Sequence, residues 1–219
     1  MKRILLGLTL VSALVISACG EKKGETAEGG DEKKENKNEG KSGTFYLNNS
    51  TSYISWHSWE KDNKENHSHK GKVKIKDGYV AVTNGEVTES SFNIDVLSLF
   101  ETDLDGDEQQ KNYLLGHLAS SAFFGIDSAG GHEIPKFVFT SIENGVAKGD
   151  LTIAGNTQSI EASVNVSFEN DVITITSEPF TIDMTVFGMP YFAQDKDPEA
   201  KETTVNPEVE FTIHLTSAQ

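Results

Sequence analysis

The 219-residue chain carries 34 Asp and Glu against 19 Lys and Arg, a formal net charge of −15, with 36% apolar residues and one cysteine. Such a charge repels phosphate backbones and anionic headgroups, which argues against a nucleic-acid partner and against a basic membrane-binding face. A lone cysteine allows neither an internal disulfide nor a thiolate metal cluster, so the fold must rest on a hydrophobic core.

In chain order, Lys2 and Arg3 precede a largely apolar stretch from Ile4 to Ile16. At about 1.5 Å per residue it falls well short of a roughly 30 Å hydrocarbon core, which fits a cleaved signal better than a membrane span. Ile16-Ser17-Ala18-Cys19 resembles a bacterial lipobox, in which cleavage precedes the cysteine and its thiol carries diacylglycerol. Residues 1–18 are therefore expected to be a lipoprotein signal peptide, with Cys19 as the lipidated first residue of the mature chain. Two or three acyl chains, at about 0.8 kcal/mol per buried CH₂, make a stable membrane anchor. Gly20 is not the aspartate that resembles an inner-membrane retention signal. The expected location is the cell envelope, at the outer membrane, facing the periplasm or the outside.

Residues 20–43 contain no aromatic or branched aliphatic side chain, and their seven acidic and six basic residues nearly cancel. Such a segment cannot bury enough apolar surface to fold. Residues 19–44 are read as the lipidated start and a flexible tether with an r.m.s. span on the order of 25–30 Å.

Beyond residue 44 there are 27 acidic residues against 11 basic ones, and the pattern changes to short β-rich runs of period two. Strands are expected at Tyr53–Trp59, around Val73 and Ile75, at Tyr79–Thr83, and around Phe92, Ile94 and Val96. Further runs fall at Phe137 and Phe139, at Gly149–Ile153, along Ile160, Ala162, Val164, Val166 and Phe168, and at Val172–Thr176, Phe180–Val186 and Val209–Leu215. Asp77-Gly78, Asn84-Gly85, Asn144-Gly145 and Asn170-Asp171 read as turns between neighbours. Consecutive hairpins with one apolar face imply an antiparallel sheet curled into a barrel or sandwich. Only residues 107–124 break the pattern, where Leu114, Leu115, Leu118 and Ala122 have helical spacing and predict one or two short helices.

Two separated motifs carry a family resemblance. One is His117-Leu118-Ala119-Ser120-Ser121-Ala122-Phe123-Phe124, followed by Ile134-Pro135-Lys136-Phe137-Val138-Phe139-Thr140-Ser141; the other is Gly149-Asp150-Leu151-Thr152-Ile153-Ala154-Gly155-Asn156-Thr157. Their order and spacing resemble the YceI-like family of lipid- or polyisoprenoid-binding barrels. The resemblance implies an all-β fold over 45–219, an antiparallel lipocalin-like β-barrel of about eight strands. It also implies motif roles for His117, Phe123, Phe124, Pro135, Gly149, Thr152, Gly155 and Thr157. The match is incomplete: Leu114-Leu115-Gly116 stands where many members have an Arg-Asp pair, and Gly125 stands where an aspartate is usual. Ligand roles of those charges therefore do not carry over.

Other constellations give less. His57, His67 and His69 lie close in sequence, but their polar surroundings read as a solvated hairpin, and no metal site is expected. Asp103-Leu104-Asp105-Gly106-Asp107-Glu108 has the start of a calcium loop but lacks its glycine and its closing glutamate. No G-x-S-x-G elbow, H-E-x-x-H helix, P-loop or dinucleotide fingerprint is present, so no enzyme and no cofactor is expected. His117 can hydrogen-bond in either direction across a barrel mouth, as a structural group or a ligand contact. Phe92, Ile94, Phe137, Phe139, Val164, Val166, Phe180, Ile182, Phe211 and Ile213 would line the interior if every strand turns its apolar stripe inward. Cores and ligand pockets share that composition. The residues alone leave open a filled structural barrel with an acidic partner-binding surface. The resemblance favours binding of a long apolar molecule such as a polyisoprenoid, an isoprenoid quinone or another lipid, and no residue pattern identifies a protein partner.

Substitution of Cys19 by Ala is expected to abolish labelling by a clickable fatty acid and to block signal processing; undiminished labelling would contradict the anchor.

Overall fold

The computed structural model describes residues 40–61, 67–101, 106–125, 134–193 and 205–219. All of them belong to the compact unit Asn36–Gln219. The signal, Cys19 and most of the tether lie outside the described residues, as do positions 103–105 of the calcium-like loop.

Ten strands form one antiparallel sheet: β1 (Gly43–Tyr46), β2 (Tyr53–Trp59), β3 (Ser68–Thr83), β4 (Glu86–Glu101), β5 (Lys136–Glu143), β6 (Val146–Ile153), β7 (Asn156–Glu169), β8 (Val172–Ser177), β9 (Phe180–Asp183) and β10 (Glu208–Thr216). The order β1-β3-β2-β10-β8-β7-β6-β5-β4 is closed by pairing of β3 with β4, from Gly71↔Glu101 to Thr83↔Glu86. β1 and β2 share one edge of β3, and β8 and β9 share one edge of β10. The ten strands therefore make an eight-stave barrel, with β4 pairing β5 over Ser90–Asn93 only.

The hairpins follow from the turn chemistry. Asn84-Gly85, Asn144-Gly145 and Asn170-Asp171 all have positive φ at both central residues, as does Ala154-Gly155. That backbone suits two-residue hairpins because its twist matches that of the strands. Asp77-Gly78 differs from expectation. It is no turn: β3 runs through it as one 16-residue strand, and the register with β4 shifts between Ile75 and Asp77. The glycine serves close packing there, since a Cβ on Gly78 would sit 2.5 Å from Phe92 Cβ. The expected strand Phe180–Val186 also ends early. At Asp183 the side chain accepts a hydrogen bond from Thr185 N (2.9 Å), and a 3₁₀ turn (Met184–Phe187) begins.

Between β4 and β5 lies one helix, α1 (Glu108–Ala119), inside the expected 107–124 window. Its N-cap is Asp107, whose Oδ1 accepts from Gln110 N at 3.0 Å and whose Oδ2 accepts from Gln110 Nε2 at 2.7 Å. Ser120 ends the helix, its hydroxyl donating to the His117 carbonyl at 2.6 Å. A second, four-residue helix, α2 (Pro190–Ala193), was not expected from the sequence.

One end of the barrel is packed solid. Val80, Ile173 and Ile75 there are at most 1% exposed, with Val82, Leu47 and Leu215 around them. Buried serines tie the strands at this end: Ser52 Oγ donates to the Thr216 carbonyl and accepts from Thr216 N, both at 3.0 Å, and Ser217 Oγ accepts from Ile173 N at 3.1 Å. The chain enters here, where Lys41 pairs with Asp171 and accepts through its carbonyl from Gly85 N at 2.7 Å.

Three inward rings lie against glycines on the neighbouring strand. A Cβ on Gly71 would meet Trp56 Cζ2 at 2.4 Å and the Phe100 carbonyl at 2.1 Å, whereas the atoms nearest to one on Gly149 all belong to the Phe137 ring, the first at 2.2 Å. Gly71→Ala is expected to cost roughly 1–3 kcal/mol by overpacking against fixed backbone. Gly149→Ala is expected to cost less, because the Phe137 ring can swing off the wall. Urea denaturation of both variants checks the order, and the reverse order would contradict this packing.

Candidate functional site: an apolar cavity in the barrel

Inward positions along a barrel strand alternate with outward ones. In β7 the inward set Ile160, Ala162, Val164, Val166 and Phe168 is only half-buried, while the outward set is exposed. Phe168 meets Phe45 of β1 edge-on at 5.6 Å across the interior, and beside the remaining inward side chains a cavity of about 240 Å³ is left. Its lining is almost wholly apolar.

Nine of the ten expected lumen residues line this space. Phe92, Ile94, Phe139 and Ile182 are buried in the wall, and Phe137, Val164, Phe180, Phe211 and Ile213 remain half-buried against it. Val166 does not line the cavity; it packs against the hydrophobic core cluster. Phe92 and Phe137 stack at 5.2 Å, joining β4 to β5 along one stretch of wall.

The motif residues divide between wall and cap. Gly149 accommodates the Phe137 ring, and Gly155 takes the positive φ of the β6–β7 turn. Thr152 and Thr157 hydrogen-bond across that hairpin through their hydroxyls at 2.8 Å. Pro135 lines the cavity and its carbonyl accepts from Ile94 N at 2.8 Å, fixing the entry to β5. At the end opposite the chain entry, α1, the turn after it, the 3₁₀ turn and α2 form the cap. Phe123 stacks on Tyr191 at 4.4 Å and meets Phe192 edge-on at 5.7 Å. The His117 ring stands edge-on to Phe123 (5.0 Å) and Tyr191 (5.7 Å). His117 is both exposed and part of the lining, so the cavity reaches the surface beside it. Phe124, Leu114 and Leu118 complete this border, and no residue of α1 is fully buried. A backbone bond from Tyr191 N to the Ala122 carbonyl at 2.8 Å links the two halves of the cap.

Sequence reasoning missed the contribution of the 3₁₀ turn, α2 and the link between them, whose Met184, Phe192 and Met189 respectively line the cavity. The run Met189-Pro190-Tyr191-Phe192 was a signal, since proline suits the first turn of a helix. It also missed Trp56, Ser58 and His69 in the lining. His67 lies outside β3 and pairs with Glu60 at 3.2 Å, and His57 faces outward to Glu210 at 3.4 Å. Among the described residues no group of three or more His, Cys, Asp or Glu is placed to hold a metal.

A YceI-like domain model matches residues 45–217. The chain belongs to the YceI-like family. Among solved structures it is similar to BcnA of Burkholderia cenocepacia, with 20% identity and a TM-score of 0.56 over 78% of this chain and 99% of that one. It is also similar to a domain from Saccharophagus degradans described as polyisoprenoid-binding and implicated in plant cell wall breakdown, with 14% identity and a TM-score of 0.57 over 82% and 100%. Among curated proteins none matches the chain. At these identities the solved structures speak for the barrel, and the YceI-like domain here is described by its own side chains.

The first turn of the cap's helix depends on Asp107. Its hydrogen bonds from Gln110, the backbone one first, hold its carboxyl below the ordinary carboxylate range. A lowered native value means that the cap's contribution is complete above about pH 4 and is lost as pH falls through the native value. The protection of α1 amides, their exchange relative to the intrinsic rate at each pH, is expected to be steady between pH 5 and 7 and to fall below pH 4, whereas Asp107→Ala lowers it between pH 5 and 7; equal protection in parent and variant at pH 6 would contradict the role of Asp107.

Proposed function

We propose that this YceI-like domain takes up a long apolar molecule, such as a polyisoprenoid or another lipid, and holds it non-covalently in the barrel. The observation that carries this reading is the set of inward apolar side chains left half-buried around a cavity: in a filled core they would close on one another. Transfer of the ligand's surface from water supplies about 25 cal/mol per Å², offset by the ordering of its chain. The Saccharophagus degradans neighbour, described as polyisoprenoid-binding, supports the choice of ligand class. Residues 1–18 act as a lipoprotein signal, Cys19 carries the acyl anchor, and the segment to residue 44 tethers the barrel to the envelope, in the outer membrane. The described chain enters the barrel at its packed end, opposite the mouth.

Val164→Asp tests the reading, because Val164 lines the cavity and is half-buried, so an empty cavity can hydrate the carboxylate. Against a lipid chain that carboxylate must lose its water, at several kcal/mol. The variant is expected to lose bound lipid at least tenfold by mass spectrometry, with the melting temperature of the delipidated protein within a few degrees of the parent. Parent protein that never binds lipid, or a variant that retains it, would overturn the reading.

A further inference from the structure

The acidic excess of the chain is an average, and its lysines depart from it. Four of the 11 basic residues beyond residue 44 are Lys70, Lys72, Lys74 and Lys76, all on β3. The residues between them, Gly71, Val73 and Ile75, are buried, so period two turns the four side chains to the outer face, with successive ones about 7 Å apart. Lys70, Lys74 and Lys76 are exposed, and the Lys72 ammonium lies over the Tyr53 ring at 3.9 Å. The strand beside them, β2, carries no carboxylate. On the β4 side Asp95 stands opposite Lys74, and Asp77, next to Lys76, accepts from Asn93 Nδ2 at 2.6 Å. Among the described residues neither Lys74 nor Lys76 has an ion pair. The net charge therefore argues against a basic face only for the rest of the surface.

An apolar wedge stands beside this stripe. Phe100 pairs with Lys72 and Asp95 with Lys74, so residues 96–99 of β4 stand opposite Val73 alone. They form a bulge whose base is closed by Ser98: its hydroxyl accepts from Lys74 N at 2.7 Å and donates to the Asp95 carbonyl at 2.6 Å. Leu97, in the bulge, is 78% exposed. Val96 and Leu99, on either side of it, line the cavity. One short segment thus shows a leucine to the outside and apolar lining to the lumen. A leucine pushed out among lysines suits a bilayer interface, where it enters the acyl boundary while the ammonium groups reach the headgroup phosphates. A water-soluble polyanion would meet the lysines and leave Leu97 in water.

We propose that Leu97 and the lysines at 70, 72, 74 and 76 form a docking surface for a bilayer that contains anionic phospholipid. Docking sets the lipid against the part of the wall that Val96 and Leu99 line from within. It requires nothing of what the lumen holds. Each lysine brought near an anionic leaflet strengthens the contact about fivefold, and salt screens that gain.

Lysine footprinting of the full chain tests the surface. Acetylation rates by an N-hydroxysuccinimide ester are read residue by residue by mass spectrometry, with vesicles of phosphatidylcholine alone or of equal parts phosphatidylcholine and phosphatidylglycerol. The first vesicles hold any N-terminal anchoring constant, so the difference reports the barrel. The mixed vesicles are expected to slow acetylation of Lys74 and Lys76 roughly threefold or more. Lys148, on β6 and paired with Glu161 at 2.9 Å, should keep its rate. Leu97→Glu, at an exposed position that leaves the core untouched, should restore the rates of Lys74 and Lys76, as should roughly 1 M salt, where the Debye length is about 3 Å. Unchanged rates with the mixed vesicles, or equal slowing of Lys148, overturn the docking surface. Slowing that survives Leu97→Glu and is matched by dextran sulfate assigns the stripe to an anionic polymer and overturns the bilayer. None of these results bears on the lumen, which Val164→Asp tests separately.

Discussion

The pairing of β3 with β4 is the constraint on which the molecule depends. It joins the first and last staves of the sheet over two 16-residue strands, and it turns one apolar face into an interior. Once the sheet is closed, inward side chains can pack only against neighbours on the wall or across the lumen. At the floor, Val80, Ile173 and Ile75 meet and exclude solvent. Higher up a cavity remains, and part of its apolar lining, Phe137, Val164, Phe180, Phe211 and Ile213, is half-buried.

Glycine keeps it so. Trp56, Phe92 and Phe137 each lie against a glycine on the adjoining strand, where any larger residue would collide with them. Large rings held close to the wall give an apolar surface without filling the space, which a jigsaw core would do. The cap is built in the opposite sense. Its helix α1 has no fully buried residue and meets α2 through His117 in an aromatic cluster, while the turn after it bonds Tyr191 N through the Ala122 carbonyl. Few buried contacts on a peripheral element place it at the low end of local stability, where opening for ligand passage costs least.

Much of this was legible in the sequence because period two and two-residue turns are local. Asn84-Gly85, Asn144-Gly145 and Asn170-Asp171 read correctly as turns, since positive φ is a property of those residues themselves. Asp77-Gly78 misled because the same dipeptide serves a bulge under Phe92, a contact made by a strand distant in sequence. The wall residues of β4, β5 and β10 were readable from alternation. Val166 obeys the same alternation yet does not reach the cavity, because depth along the barrel is set by stagger, which one strand does not encode. Trp56 and the α2 segment were missed for a related reason. A ring's neighbour across the ladder and a helix folded over the mouth are both products of assembly.

The central claim is that the lumen is a binding space, and a crystal structure of the full chain with a terminally brominated C20 isoprenoid methyl ketone tests it most directly. The expected result is one anomalous bromine peak inside the barrel, between the walls carrying Phe137 and Phe211. Bromine found only on the outer surface, with the lumen closed by its own side chains, would contradict it.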